Sequence, residues 1–403
     1  MKRFPPSFQL LLLGQACSLL GNLTLKFALS MYVLDLTGSA AAFAGLLSAA
    51  MLPTILLSPL GGILADRADR RRLMVALDAL SGAVALLTLF LPEGLGGVGA
   101  LLVALSVLGA FESPTAQACV PQLLSGDALI RGNAAVNQLA ALCSLLTPFL
   151  GSVLYATLGI RPVLCAAAAC FFATALFERR LRLPPAPPAP HESALRTVRK
   201  DFAAGLRFLA IEKPALLRLL LLCALASLFA AGTVSVGFPF LIRTVLGLSP
   251  AHYGAAESAA GVAAILGSLA AGPLSGQLKD GRLHLLFAGA GASLLLAGAA
   301  FLLPAPYAPV TLAFCGLQVA CSLFSIFALS LMQARTPPAL TGKVMAHVSA
   351  LSLCAQPAGQ ILYGALFDAF SPGAGWVLAA SGMAVLLIAL FSAGFFARLE
   401  AEG

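Results

Sequence analysis

The stretch GGILADRADRRRLM, residues 61–74, sets Asp66, Arg67, Asp69, Arg70, Arg71 and Arg72 between two long, nearly uncharged apolar runs. Guanidinium groups are permanent cations whose forked N–H donors suit carboxylates and other planar oxygen acceptors. An acid beside a helix start can accept backbone N–H groups and meets the positive end of the helix dipole. A second set of polar groups stands within apolar sequence. Gln15, Ser18, Asn22 and Lys26 recur at intervals of three, four and four, which puts them on one helix face. Asp78, Glu112 and Glu257 are single acids in other apolar runs.

The chemistry open to such groups is proton carriage, ion pairing and polar contact with a solute, because ionisable residues in lipid are costly and functional by default. Lys26 reads as lining a water-filled cavity, against snorkelling or a structural pair. Glu112, in GAFESPTAQ, either titrates with proton flux or pairs with an arginine of the charged stretch. Glu257 is a proton carrier or an interfacial residue in contact with water. Asp78 reads as half of a gate ion pair. Group-transfer chemistry finds no such set: His191, His252, His284 and His347 are scattered, and no glycine-rich phosphate loop, zinc-binding helix or nucleophile elbow occurs. The nine cysteines lie in or at the end of apolar segments without metal-ligand spacing and read as packing residues. The expectation is no enzyme, no metal and no cofactor.

The elements that hold these residues follow from composition. The 403-residue chain is 60% hydrophobic and 10% charged, against about 45–50% and about 25% for soluble domains. That is an integral membrane protein, and lipid requires its backbone to close its hydrogen bonds in helices. Segments of about 20 apolar residues lie near 8–34, 41–64, 73–91, 97–119, 133–158 and 162–178, then near 215–241, 252–276, 283–303, 308–332, 344–369 and 375–397. The first has no small-residue cleavage site and reads as an uncleaved span. With both termini cytoplasmic, the opposite loops hold only Arg161 and Arg243, Lys26 lies within a span, and every other Lys and Arg falls inside. The net charge of +8 therefore reports orientation and not nucleic-acid binding.

Between the sixth and seventh spans, RRLRLPPAPPAP cannot stay helical. It precedes a stretch in which Leu195, Val198, Phe202, Leu206 and Leu209 recur at helical spacing, an amphipathic helix for the membrane surface. The expected organisation is a six-helix bundle over 1–180, a cytoplasmic linker over 181–213 and a second bundle over 214–403. The halves echo each other. QACVPQLLSGDALIRG and QARTPPALTGKV each open a helix, and Pro148, Gly151 and Tyr155 correspond to Pro357, Gly359 and Tyr363. A duplicated six-span unit points to a secondary transporter.

The charged stretch resembles the signature loop between the second and third spans of the major facilitator superfamily, with Gly62, Leu64, Asp66, Arg67, Arg70 and Arg71 at matching positions. Asp69 stands where that loop has glycine, a departure associated with the macrolide-efflux-like branch of drug:proton antiporters. The corresponding loop of the second half, GPLSGQLKDGRLHLL, is degenerate and keeps Gly276, Leu278, Asp280 and Arg282. Pro148-Phe149-Leu150-Gly151 looks like part of the antiporter motif of that branch, with Thr147 in place of its glycine, and otherwise reads as a proline–glycine kink. The fourth span lacks the arginine that many proton-coupled exporters carry.

The resemblance implies an all-α fold of twelve transmembrane helices in two pseudo-symmetric bundles, in the cell membrane. It implies a monomer, surrounded by lipid, that exports amphipathic small molecules or drugs by alternating access in exchange for protons, its signature loop latching the halves in one state. Export of a siderophore, metabolite or lysolipid, and a non-transporting receptor, are the alternatives. If Asp66 works as that latch, Asp66→Asn inserts normally and loses most transport; wild-type uptake rates in membrane vesicles overturn the role.

Overall fold

The computed structural model describes residues 4–91, 94–183, 202–275 and 280–401, without the side chains of Asp66, Asp280, Ala339, Pro372 and Ala401. Among these residues the chain is helical and has no strand. Twelve long helices follow one another: α1 (Pro6–Thr37), α2 (Ala40–Arg67), α3 (Arg70–Leu87), α4 (Leu95–Leu123), α5 (Asp127–Leu158) and α6 (Ile160–Arg179). Then come α7 (Pro214–Val245), α8 (Pro250–Leu274), α9 (His284–Ala300), α10 (Tyr307–Ala334), α11 (Pro338–Ala369) and α12 (Ala374–Ala401). Ten of them are both long and apolar enough to cross a bilayer. Of the other two, α9 is short at 17 residues, and α11 is diluted by His347, Gln356 and Gln360. The twelve agree with the twelve expected spans.

The junctions are tight. Gly38 and Gly159 adopt φ of 61° and 77°, a left-handed conformation that a side chain resists, and so each turns one helix into the next within one or two residues. The second half of α7 is wound largely as π turns, over Ala231–Gly237 and Leu241–Val245. There a Cβ on Gly237 would sit 2.6 Å from the Phe367 ring, and one on Gly232 would collide with Tyr363. The widened turns therefore accept the aromatic face of α11, and Tyr363 Oη closes a 2.7 Å bond to Ser381 of α12.

The chain divides into two compact units. The first is Met1–Thr37, Leu46–Glu192 and Ser249–Ala255; the second is Gly38–Gly45, Ser193–Leu248 and Ala256–Gly403. Most of the expected linker, residues 184–201 with Leu195 and Val198, lies outside the described residues, as do Gly276 and Leu278. From Phe202 the chain is helical and runs into a π turn at Phe208–Glu212. It is seated on α11 by a Phe202–His347 ring stack at 4.0 Å and by Gly205, where a Cβ would fall 2.8 Å from His347.

Each unit also claims the first turns of a helix from the other half of the sequence. In the second, Asp368 at the end of α11 accepts Ser39 Oγ at 2.5 Å, Ala40 N at 2.7 Å and Ala41 N at 3.1 Å. This is an acid capping the N-terminus of α2 from another helix. In the first, Gly254 of α8 packs on Pro148 and Ser152 of α5, and Tyr253 stacks on Phe27 of α1 with ring centroids 5.1 Å apart.

The duplication is visible inside each unit. Gly151 of α5 meets Phe27 of α1, and Gly359 of α11 meets Leu228 of α7. Small residues mediate these approaches, as expected where lipid provides no hydrophobic drive. In the second unit α9 and α12 close glycine on glycine: a Cβ at Gly298 would lie 2.6 Å from the Gly375 carbonyl, and one at Gly291 2.9 Å from that of Gly382. In the first, α2 approaches α4 at Gly61, where a Cβ would collide with the Ala110 carbonyl, while Gly62 has nothing within 4 Å. Gly61→Leu is thus expected to destabilise the protein by about 1–3 kcal/mol and Gly62→Ala to be neutral or slightly stabilising, read from melting temperatures in detergent. Equal effects at the two positions contradict this packing.

Candidate functional site

The charged stretch forms the end of α2, a two-residue turn and the start of α3. Asp69 is the N-cap of α3, accepting Arg72 N at 3.2 Å, and pairs with the exposed Arg72 side chain at 3.3 Å. The neighbouring arginines turn to carbonyls. Arg70 donates from Nε to Ala65 O at 2.7 Å and from Nη1 to Ala118 O at 3.1 Å, and Arg71 Nη1 reaches Leu181 O at 3.5 Å. Ala65 lies in the last turn of α2, whose carbonyls have no intrahelical partner. A cation there also meets the negative end of the helix dipole. The loop thereby fastens α2, α4 and the exit of α6 over an apolar cluster of Phe8, Leu11, Met74, Cys119 and Leu181. Arg67 is exposed, and the side chain of Asp66 falls outside the described residues.

Further into the first unit lies a set of acids. Asp78 of α3 and Glu178 of α6 are both 0% exposed, and Ser18 of α1 is 4% exposed. Ser18 Oγ stands 3.3 Å from Asp78 Oδ1 and 3.3 Å from Glu112 Oε1 of α4. Glu178 adjoins Asp78, and neither of its oxygens nor Asp78 Oδ2 finds a well-aligned donor. Gln15 reaches toward Glu112, and Lys26 acts on it as the opposite charge. Among the described residues no lysine or arginine forms an ion pair with Asp78, Glu112 or Glu178.

The structure therefore gathers Gln15, Ser18, Lys26, Asp78 and Glu112. Asp78, expected as half of an ion pair, is instead surrounded by a hydroxyl and two acids. Asn22 lies half-buried on the same helix, and its Oδ1 is buried without a partner. Glu257 is half-buried on α8, in the second unit. Pro148 and Gly151 lie within α5 at its contacts with α1 and α8. Glu178 was missed from sequence: it is the penultimate residue of α6, followed by Arg179 and Arg180, and reads there as an exposed flank. The signal that could have found it is Phe171, Thr174 and Glu178, spaced like the buried face of the span.

The second unit contains a cavity of about 400 Å³ between α7, α9, α10 and α11. Phe229, Phe287 and Phe324 supply aromatic walls, Cys223 and Cys321 thiols, and Ser349 and Ser352 hydroxyls. Among the described residues, no Asp, Glu, Lys, Arg or His lines it. It suits an uncharged, largely apolar group with a few hydrogen-bonding substituents.

Twelve helices in a duplicated pattern, the charged loop after the second and acids buried within the bundle define a membrane transporter. The family model described as Major Facilitator Superfamily matches residues 11–352, and the chain belongs to that superfamily. It is similar to the enterobactin exporter EntS of Escherichia coli O1:K1 / APEC, 30% identical over 340 residues, covering 81% of this chain and 77% of that protein. The enterobactin exporter EntS of Shigella boydii serotype 18 (strain CDC 3083-94 / BS512) is likewise 30% identical over 339 residues, with the same shares covered. Among solved structures, a bacterial homologue of the iron transporter ferroportin in an inward-facing state aligns with a TM-score of 0.73 at 16% identity, over 99% of this chain and 100% of that one. The POT family transporter PepTSo aligns with a TM-score of 0.75 at 12% identity, over 100% and 99%. Both share the fold.

Two buried acids side by side without a cation destabilise a protein, and neutral isosteres relieve the repulsion. Asp78→Asn and Glu178→Gln are expected to raise the melting temperature. A hidden ion pair predicts the reverse, because removing one partner strands the other charge.

Proposed function

We propose that the protein exports amphipathic, aryl-bearing small organic molecules from the cytoplasm in exchange for protons, with siderophores as the leading substrate class and lysolipids or other metabolites as alternatives. The observation that carries this reading is the uncharged aromatic cavity of the second unit, about 400 Å³ in volume. A cavity of this kind binds apolar rings by dispersion and desolvation and orients them through hydroxyls, and it rejects compact ions. The similarity to the enterobactin exporters over most of the chain supports both export and a siderophore-sized cargo.

Protons as the coupling ion are supported by the acids of the first unit, which lie together and form no ion pair among the described residues. Alternating access follows from the duplicated architecture. The lysine and arginine distribution supports the inner membrane, with both termini and the charged loop facing the cytoplasm. A monomer is the proposed working unit.

The test uses inverted membrane vesicles energised by respiration, given enterobactin, the lipophilic aryl dye Hoechst 33342 or a lysophospholipid. Accumulation of at least one, abolished by an uncoupler, is expected. Accumulation that survives the uncoupler removes proton exchange, and no accumulation of any of them removes the export reading. Narrowing the cavity with Ala226→Phe is expected to raise the half-saturating concentration for the aryl substrates; unchanged saturation excludes the cavity as their binding place.

A further inference from the structure

We infer that Ser18 is a proton relay joining Glu112 to the Asp78–Glu178 pair, so that the first unit contains a hydrogen-bonded path from the middle of α4 to the loop end of α6. The inference rests on the proton-exchange reading above and goes beyond it by assigning the path and two residues, Ser18 and Glu178, that neither the signature loop nor the cavity involves.

The geometry carries it. Ser18 Oγ is 3.3 Å from an oxygen of each acid, but a hydroxyl has one proton to donate and two lone pairs to accept. It can donate to Asp78 or to Glu112, not to both at once. The position is therefore satisfied only when one acid accepts from Ser18 and the other, as a carboxylic acid, donates to it. One proton placed on either acid completes the chain in either direction, and a double proton transfer through the hydroxyl exchanges the two states.

Transfer balances without a co-reactant. The O–H bond of Glu112 breaks as its proton passes to Ser18 Oγ, the Ser18 O–H breaks as its own proton passes to Asp78 Oδ1, and the hydroxyl is regenerated. The net change is a carboxylic acid at Asp78 and a carboxylate at Glu112. Asp78 then passes the proton to the adjoining Glu178, whose two oxygens are buried without an aligned donor. The reverse sequence carries protons the other way.

The order along the helices gives the path a direction. Glu178 is the penultimate residue of α6, Asp78 lies about two turns into α3, and Glu112 is near the middle of α4. The acids thus descend toward the end that carries the charged loop.

Backbone packing holds the relay in place. α1 presents Gly14, Ser18 and Gly21 to its neighbours. A Cβ at Gly21 would fall 2.8 Å from Cys170, and Thr174 Oγ1 donates to Gly14 O at 3.0 Å. Ser18 is therefore fixed against α3 and α4 and does not sample an open cavity. The other titratable groups that interact with the acids of the path are Lys26 on α1 and Cys119 on α4. Arg70, whose charge acts on Cys119, donates to carbonyls.

The experiment compares wild type, Ser18→Ala and Ser18→Thr, each purified and reconstituted in proteoliposomes. Uptake of Hoechst 33342 driven by an imposed pH gradient is measured beside counterflow, the exchange of labelled for unlabelled dye without a gradient. Loss of the hydroxyl is expected to slow gradient-driven uptake by about tenfold or more and counterflow much less, with Ser18→Thr restoring the wild-type ratio. A ratio in Ser18→Ala equal to wild type overturns the relay, as does wild-type uptake that follows a sodium gradient at clamped pH. Absence of any gradient-driven uptake in wild type overturns the exchange reading, and the relay with it. Equal loss of both activities in Ser18→Ala, unrestored by threonine, reduces Ser18 to a packing residue and also overturns the proposal. Glu178→Gln provides the second arm: it preserves volume and is expected to lower the same ratio.

Discussion

A carboxyl group inside a membrane protein has no bulk water to turn to, so its protonation and its hydrogen bonds are set by whatever the packed helices bring beside it. Around Asp78 they bring a serine hydroxyl and two more acids. Three carboxylates held together at full charge would be strongly repulsive in so low a dielectric. The bundle could have relieved this with an arginine, and the nearby loop has several. Arg70 and Arg71 instead donate to backbone carbonyls of α2, α4 and the chain leaving α6. The acids are left with one another and with the Ser18 hydroxyl as neighbours.

The loop and the acids are therefore complementary parts of one unit. Arg70 bridges a carbonyl in the last turn of α2 and the Ala118 carbonyl of α4, and so ties α2, α3 and α4 together over the apolar cluster around Phe8 and Met74. That rigidity keeps the Ser18 oxygen at equal distances from Asp78 and Glu112. A serine relay depends on such geometry, because its single proton serves two acceptors only if neither is favoured by distance.

Much of this was legible in the sequence, and the part that was not has a physical reason. Apolar run length gave the twelve helices, since the bilayer sets a minimum length that a chain cannot evade. The charged stretch gave a turn, and Asp69 caps a helix as an acid in that position should. The spacing of Gln15, Ser18, Asn22 and Lys26 put them on one face of α1, and the structure brings Gln15, Ser18 and Lys26 to the same acids. Periodicity states which residues share a face but not which helix meets it. The partners of Ser18 therefore stayed hidden, as did the capping of α2 by Asp368 from a helix more than 300 residues away in sequence. Glu178 was hidden differently: beside two arginines at a span end, its burial depends on α6 packing against α1 and α3, where Thr174 binds Gly14.

The two halves share an ancestry in pattern and have separated in chemistry. Pro148, Gly151 and Tyr155 have counterparts in Pro357, Gly359 and Tyr363, and the glycines pack against equivalent helices. Yet the buried acids belong to the first unit and the uncharged cavity to the second. Under the proposed function, a proton and a solute would then not compete for the same atoms. Coupling between them has to pass through conformation: each must bind one state better than the other, by a free energy that sets how steeply one flux drives the other. On that reading, its cargo could change through residues around Phe287 and Phe324 without disturbing the acids proposed to carry protons.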